Sequence, residues 1–168
     1  RHAFDVRRSP ALPSIAAVGA MLVALFLVWL YTAQSIYTTF FGDRPPASIG
    51  SFLEQVFFTS AGWKLIIFGN IAGFIFAVIA LATTVITFPL LLDRDVGAVA
   101  AIETSARAVL ANPGPMAMWG LIVAILLVIG SIPLFAGLAV VVPVLGHATW
   151  HLYRKVVEPD DGEVRRPM

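Results

Sequence analysis

His147 and His151 stand four residues apart in "GHATWHLYRKVV" (146–157). On a helix that spacing projects both imidazoles from one face, the arrangement that many metal sites use. Two histidines joined by a carboxylate such as Asp93, Asp95 or Glu103 would suit zinc or a similar ion. A bis-histidine haem within this chain is a poorer fit, because two side chains on one face of one helix do not straddle a macrocycle. The same stretch has a plainer reading. Trp150 and Tyr153 suit the aromatic belt at a membrane boundary, with Arg154 and Lys155 reaching toward headgroups beyond it. Which reading holds depends on the elements that carry these residues.

Of the 168 residues, 59% are hydrophobic and 12% charged, about half the charged content usual in a soluble domain, which is roughly 25%. The apolar residues are concentrated. Ile15 to Tyr31, Leu65 to Leu92 and Met116 to Gly146 contain no charge at all. A helix of about 20 residues crosses a hydrocarbon core of about 30 Å, so these runs read as transmembrane helices. With no cysteine in the chain, disulfides, thiolate metal sites and cysteine nucleophiles are excluded. The net charge of +1 and the scattered basic residues give no reason to expect nucleic acid. The first residue is Arg, which suggests a processed or truncated product.

The fold class expected is all-α: a polytopic integral membrane helical bundle with four transmembrane helices at about 14–37, 64–92, 115–131 and 134–157. A cytoplasmic segment, 1–13, precedes the bundle and a polar tail, 158–168, follows it. The last two spans are separated by a turn at "GSIP" (130–133), where Gly and Pro punctuate the helix. Charge supports four spans rather than three. With the N-terminus inside, Arg1, Arg7, Arg8, Arg94, Arg107, Arg154, Lys155, Arg165 and Arg166 are cytoplasmic, against Arg44 and Lys64 outside. Three spans would divide the same residues almost evenly, so the positive-inside rule selects four, with both termini cytoplasmic.

Two connectors read as amphipathic interfacial helices. "SFLEQVFF" (51–58) has Ser51 and Glu54 in capping-box spacing and an apolar side made by Phe52, Leu53, Val56 and Phe57. Residues 93–115 start from Asp93 or Asp95 as N-cap and carry Val96, Val99, Ile102, Ala106, Val109 and Leu110 along one stripe. Glu103 and Arg107 form an i,i+4 pair at its border, and Asn112 to Pro115 end the helix. Asp93, Arg94, Asp95, Glu103 and Arg107 thus form a candidate partner surface on the cytoplasmic face.

The centres of the spans carry no Asp, Glu, Lys or Arg, the residues by which ion-coupled transporters usually reveal themselves. Asn70, Thr83, Thr84 and Thr87 are the main polar groups of the second span, and threonine can bond back to the preceding turn. The second span is longer than a perpendicular helix requires, so tilt or a projecting end near Pro89 is expected. Small residues recur at four-residue spacing: Gly69, Gly73 and Ala77 on the second span, and Ala16, Ala20 and Ala24 on the first. Such faces allow close helix packing, within the bundle or against another subunit.

"LLDRDVGAV" (91–99), "NPGPMAMWG" (112–120) and "LGHATWHLYRKVV" (145–157) together resemble a family of bacterial predicted integral membrane proteins catalogued as a domain of unknown function. The resemblance runs from about Ser51 to Val157 and implies a multi-pass protein of the bacterial inner membrane. It also implies further hydrophobic segments ahead of Ala11, so an N-terminal part is expected to be missing. It brings no catalytic residue, and it points loosely toward terminal oxidases. Asp93, Arg94, Asp95, Asn112, Pro113, His147, Trp150 and His151 lie in the matching stretches and gather at the expected cytoplasmic face.

The leading expectation is a non-catalytic accessory or assembly-type subunit. It would contact membrane lipids and pack against a larger bacterial membrane complex, with a respiratory complex foremost. No enzyme activity and no cofactor are expected. One alternative is a permease component for a neutral solute, with residues 93–112 docking a motor protein. The other is a cytoplasmic-face metal site on His147, His151 and a carboxylate.

Overall fold

The computed structural model describes residues 11–43 and 46–157, all of whose regular structure is helical. The expected cytoplasmic segment up to residue 10, the basic residues Arg1, Arg7, Arg8, Arg44, Arg165 and Arg166, and the polar tail 158–168 lie outside the described residues. Among the described residues seven helices follow one another: α1 (Ala11–Phe41), α2 (Ile49–Phe58), α3 (Ser60–Thr84), α4 (Thr87–Asp93), α5 (Ala98–Ala111), α6 (Pro113–Ser131) and α7 (Leu138–Val156). Among the described residues they form two compact units, 17–80 and 81–157 together with 11–16.

Among the described residues three stretches are long and apolar enough to cross a membrane: Ala11–Phe41, Ser60–Asp93 and Pro113–Ser131. Their large apolar side chains point outward. Phe26, Leu27 and Tyr31 on α1, and Ile67, Ile71 and Phe74 on α3, are all exposed. In water so much contiguous apolar surface would drive aggregation, whereas in lipid it is the face that meets the solvent. The fourth expected span corresponds to α7. It has 19 residues, which at about 1.5 Å each is close to a bilayer core. Its second half carries His147, Trp150, His151, Tyr153, Arg154 and Lys155, so it falls short of the other three in apolarity.

In the unit Ala17–Ala80, α1 and α3 lie side by side. Leu22 to Trp29 of α1 face Gly73 to Ala80 of α3 across a shallow apolar groove of about 360 Å³. Farther along, the Phe40 and Phe68 rings meet at 5.5 Å. α2 sits against the end of α1 through Phe52, whose ring is 6.4 Å from Tyr37 and 6.2 Å from Phe41. The expected helix at 51–58 is present but begins earlier, and its cap differs from the Ser51 and Glu54 pairing. Ser48 is the N-cap and Ser51 the third helical residue. The Ser51 amide donates to Ser48 Oγ and the Ser48 amide donates to Ser51 Oγ, so two serines complete the box and satisfy otherwise orphaned donors.

α2 runs into α3 through a single residue, Thr59. Its hydroxyl donates to Gln55 O at 2.6 Å and accepts from the Gly62 amide at 3.1 Å, ending one helix and starting the next. The bend is so tight that a Cβ on Gly62 would lie 2.1 Å from Val56 O. Glycine is required there by the approach of one backbone to another.

The unit from Leu81 onward holds the densest packing. Val85, Ile86, Thr87, Pro89, Leu90 and Leu91 are all buried, with α5 and α7 both packed on α4. α6 and α7 form a hairpin, as the "GSIP" punctuation predicts, but the turn is longer and α7 starts at Leu138 rather than 134. Pro133 has no N–H with which to continue the ladder. The reversal is completed by Leu134 and Phe135 in left-handed conformation, at φ 49° and 65°. At the neck a Cβ on Gly137 would lie 2.8 Å from Gly130 O, so the two glycines let the helices meet.

Candidate functional site

The second apolar run, expected as one span over 64–92, is broken at Val85 and Ile86. Pro89 explains the position, because without an N–H it cannot bond the carbonyl of Val85 one turn earlier. The ladder resumes with the Leu90 amide donating to Ile86 O and that of Arg94 to Leu90 O. A break buried away from water needs replacement partners. The Ile86 amide donates instead to Ser105 Oγ on α5, at 3.1 Å. The Thr87 hydroxyl lies 2.6 Å from Thr83 O and 3.2 Å from Ala101 O, so it shares its proton between its own helix and α5.

Ala101 and Ser105 are four residues apart on α5 and fully buried, as are Ile86 and Thr87. Two small side chains at that spacing let the α5 backbone come close enough for these bonds. Sequence reasoning anticipated the bond of Thr87 to its own preceding turn but missed Ser105. Pro89 marks where the helix breaks but leaves a carbonyl without its donor, so it does not point to Ser105 as the acceptor for the Ile86 amide.

α5 itself begins later than expected. Its N-cap is Gly97, with neither Asp93 nor Asp95 capping it. Asp93 instead ends α4, with Arg94 as C-cap donating its amide to Leu90 O. This frees the Asp93 carboxylate to reach α7, where it accepts from the Tyr153 hydroxyl at 2.6 Å. The Arg94 Nε lies 3.8 Å from the same carboxylate oxygen. Tyr153 is 2% exposed. The structure therefore places it in the packing between α7 and α4, a correction to its reading as an aromatic-belt residue. Trp150 remains at its side, with ring centroids 5.5 Å apart.

The expected partner surface thus divides. Asp93 and Arg94 gather around Tyr153, Asp95 is exposed, and Glu103 pairs with Arg107 along the outer face of α5. That last pair is solvent-accessible, of the kind worth at most about 1 kcal/mol. Val99 and Leu110 are also exposed on α5, so its outer side combines apolar residues with an ion pair.

The two histidines lie on α7 as their spacing predicts. The His147 Nδ1 is 3.1 Å from Pro143 O, so that nitrogen donates a proton to the carbonyl one turn back and leaves Nε2 as the free position. His151 is exposed. Among the described residues no three His, Asp or Glu side chains converge as a ligand set.

The small-residue faces are open. Gly69, Ala77, Ala16, Ala20 and Ala24 are exposed and Gly73 is half-buried. A Cβ on Gly69 or Gly73 would meet nothing within 4 Å, unlike one on Gly62 or Gly130. The Gly69–Gly73 motif is therefore not used for close packing by the described residues.

A second apolar groove, of about 410 Å³, lies in the unit from Leu81 onward. Phe88 and Leu92 of α4, Trp119 and Val123 of α6, and Gly146 and Trp150 of α7 line it. It lies on the same stretch of α4 and α7 as the Asp93 and Tyr153 bond, on the helix ends rich in charge.

No curated protein and no solved structure gave a match to this chain. A family model, described as a predicted integral membrane protein (DUF2189), matches residues 1–93. Of the three stretches that carry the resemblance in the sequence, only residues 91–93 fall inside that match. "NPGPMAMWG" and "LGHATWHLYRKVV" lie beyond it, so the family relation rests on the N-terminal half instead. With outward-facing apolar helices and a matched segment covering more than half of its length, the chain belongs to the predicted integral membrane protein family DUF2189 and is a multi-pass helical membrane protein.

Proposed function

We infer that the chain is a non-catalytic accessory or assembly-type subunit, packing within a bacterial inner membrane against a larger complex. A terminal-oxidase complex is the first partner to test. The observation that carries this reading is the uncovered face of α3. Gly69 is exposed and a Cβ on it would meet nothing within 4 Å, so another backbone can approach closely there, while Gly73 one turn on lines the groove toward α1. Such faces associate helices in lipid, where apolar side chains alone provide no net attraction. The absence of charge from the span centres argues against an ion-coupled path. The orientation proposed has both ends cytoplasmic and α7 as a fourth crossing, as the distribution of Lys and Arg favours.

The test is purification of tagged protein from native membranes in mild detergent, with stoichiometric partners identified by mass spectrometry. Wild type is expected to bring down a defined complex. Gly69→Leu should release it while leaving helical content and yield unchanged, because Gly69 is exposed and its added side chain meets nothing within 4 Å. Recovery of the wild type as a lone monomer from intact native membranes would overturn the proposal.

A further inference from the structure

We propose that the groove between α4, α6 and α7 is a binding site for an anionic phospholipid, with one acyl chain in the groove and the phosphate held at Arg154. The groove is apolar along its length, and three aromatic residues, Phe88, Trp119 and Trp150, contribute to its wall. Gly146 forms part of the lining. A Cβ built on it would meet nothing within 4 Å, so the space above it is open to an occupant. At about 410 Å³ the groove falls within the range of about 300–1,000 Å³ typical of small-molecule sites.

The charge at one end of the groove decides the class of lipid. Gly146, Trp150 and Arg154 follow one another at four-residue intervals on α7, so Arg154 stands one turn beyond the lining on the same face. Both Arg154 and Lys155 are exposed at the last turn of the helix. A guanidinium at that place binds phosphate well, and Lys155 adds to the local positive field. Trp150, between the apolar groove and the arginine, is the residue type that favours the level where chain meets headgroup. A neutral, chain-only ligand would leave the basic end unused. A soluble phosphate compound would leave the groove unused.

The experiment uses the full chain with Trp29→Phe and Trp63→Phe, leaving the two groove tryptophans, Trp119 and Trp150, as fluorophores. It is reconstituted in phosphatidylcholine vesicles containing a small fraction of lipid brominated on its acyl chains. Brominated phosphatidylglycerol is expected to quench them as though enriched about fivefold over brominated phosphatidylcholine, the preference that one basic contact with an anionic surface supplies. Arg154→Gln should abolish the preference between headgroups. Gly146→Leu, which fills the groove, should reduce quenching by both lipids. Equal quenching by the two lipids in the protein that keeps Trp119 and Trp150 would overturn the proposal, leaving bulk lipid contact alone. So would a preference that survives Arg154→Gln, an exposed substitution that carries little risk to folding.

Discussion

The Tyr153 hydroxyl donates to the Asp93 carboxylate at 2.6 Å, joining residues sixty positions apart in the chain. It ties the last turn of α7 to the end of α4. A helix terminus that would otherwise fray is fastened at the point where the chain turns toward α5.

Removing that hydroxyl is expected to cost stability without removing the ring. Tyr153→Phe keeps the contact with Trp150 and deletes the bond alone. Hydrogen bonds to charged groups contribute about 1.5–3 kcal/mol, and the partial exposure of Asp93 puts the loss at the lower end, because water can replace the donor. Asp93→Asn keeps an acceptor and should lose less. Denaturant titration in detergent, followed by circular dichroism, measures both. A Tyr153→Phe protein as stable as wild type would show that the bond contributes nothing net.

Ser105 is expected to matter more than its size suggests. In Ser105→Ala the Ile86 amide loses its acceptor in a fully buried setting, where an unsatisfied donor costs about 1–3 kcal/mol. Ala101→Ser, also on the buried face of α5, tests crowding instead of bonding. Hydrogen exchange at the Ile86 amide is the direct readout. It should accelerate in Ser105→Ala, and unchanged protection would mean that another group or a water molecule takes the place of the serine hydroxyl.

Elements with strong one-dimensional signals were legible in the sequence. The apolar runs expected at about 14–37, 64–92 and 115–131 correspond to the candidate spans Ala11–Phe41, Ser60–Asp93 and Pro113–Ser131, whereas the fourth, 134–157, falls on α7, which is not among those candidates. The i,i+4 spacing gave the Glu103 and Arg107 pair, and Gly with Pro gave the α6 and α7 reversal. What failed to show depended on pairing across the chain. Nothing near Tyr153 in sequence indicates Asp93, and nothing near Ile86 indicates Ser105. Glycines exposed the same limit. Gly69 and Gly73 form a recognisable motif yet stand open, whereas Gly62 belongs to no motif and has backbone carbonyls where its side chain would be. The requirement at Gly62 comes from a one-residue bend, which pattern alone does not specify. Helix starts were misplaced for a related reason: Ser51 and Asp93 resemble caps, but the chain uses Ser48 and Gly97.

The orientation of α7 gives the last prediction. Gly146 and Trp150 line the same groove as Trp119 and Val123, so α7 runs back alongside α6 in the opposite direction. If α6 crosses the bilayer, a helix returning beside it over nearly the same length is expected to cross too, despite its weaker apolarity. The chain has no cysteine, so single cysteines report sidedness directly. Cysteine at Gly97 and at Val157 should react with a membrane-impermeant maleimide from the cytoplasmic side. Cysteine at Asp43 and at Ile132 should react from the opposite side. Labelling of the Val157 position together with that of Ile132 would instead place α7 along the outer surface with three crossings in all. That result would put Arg154 and Lys155 outside, against the bias that positive charge imposes on membrane insertion.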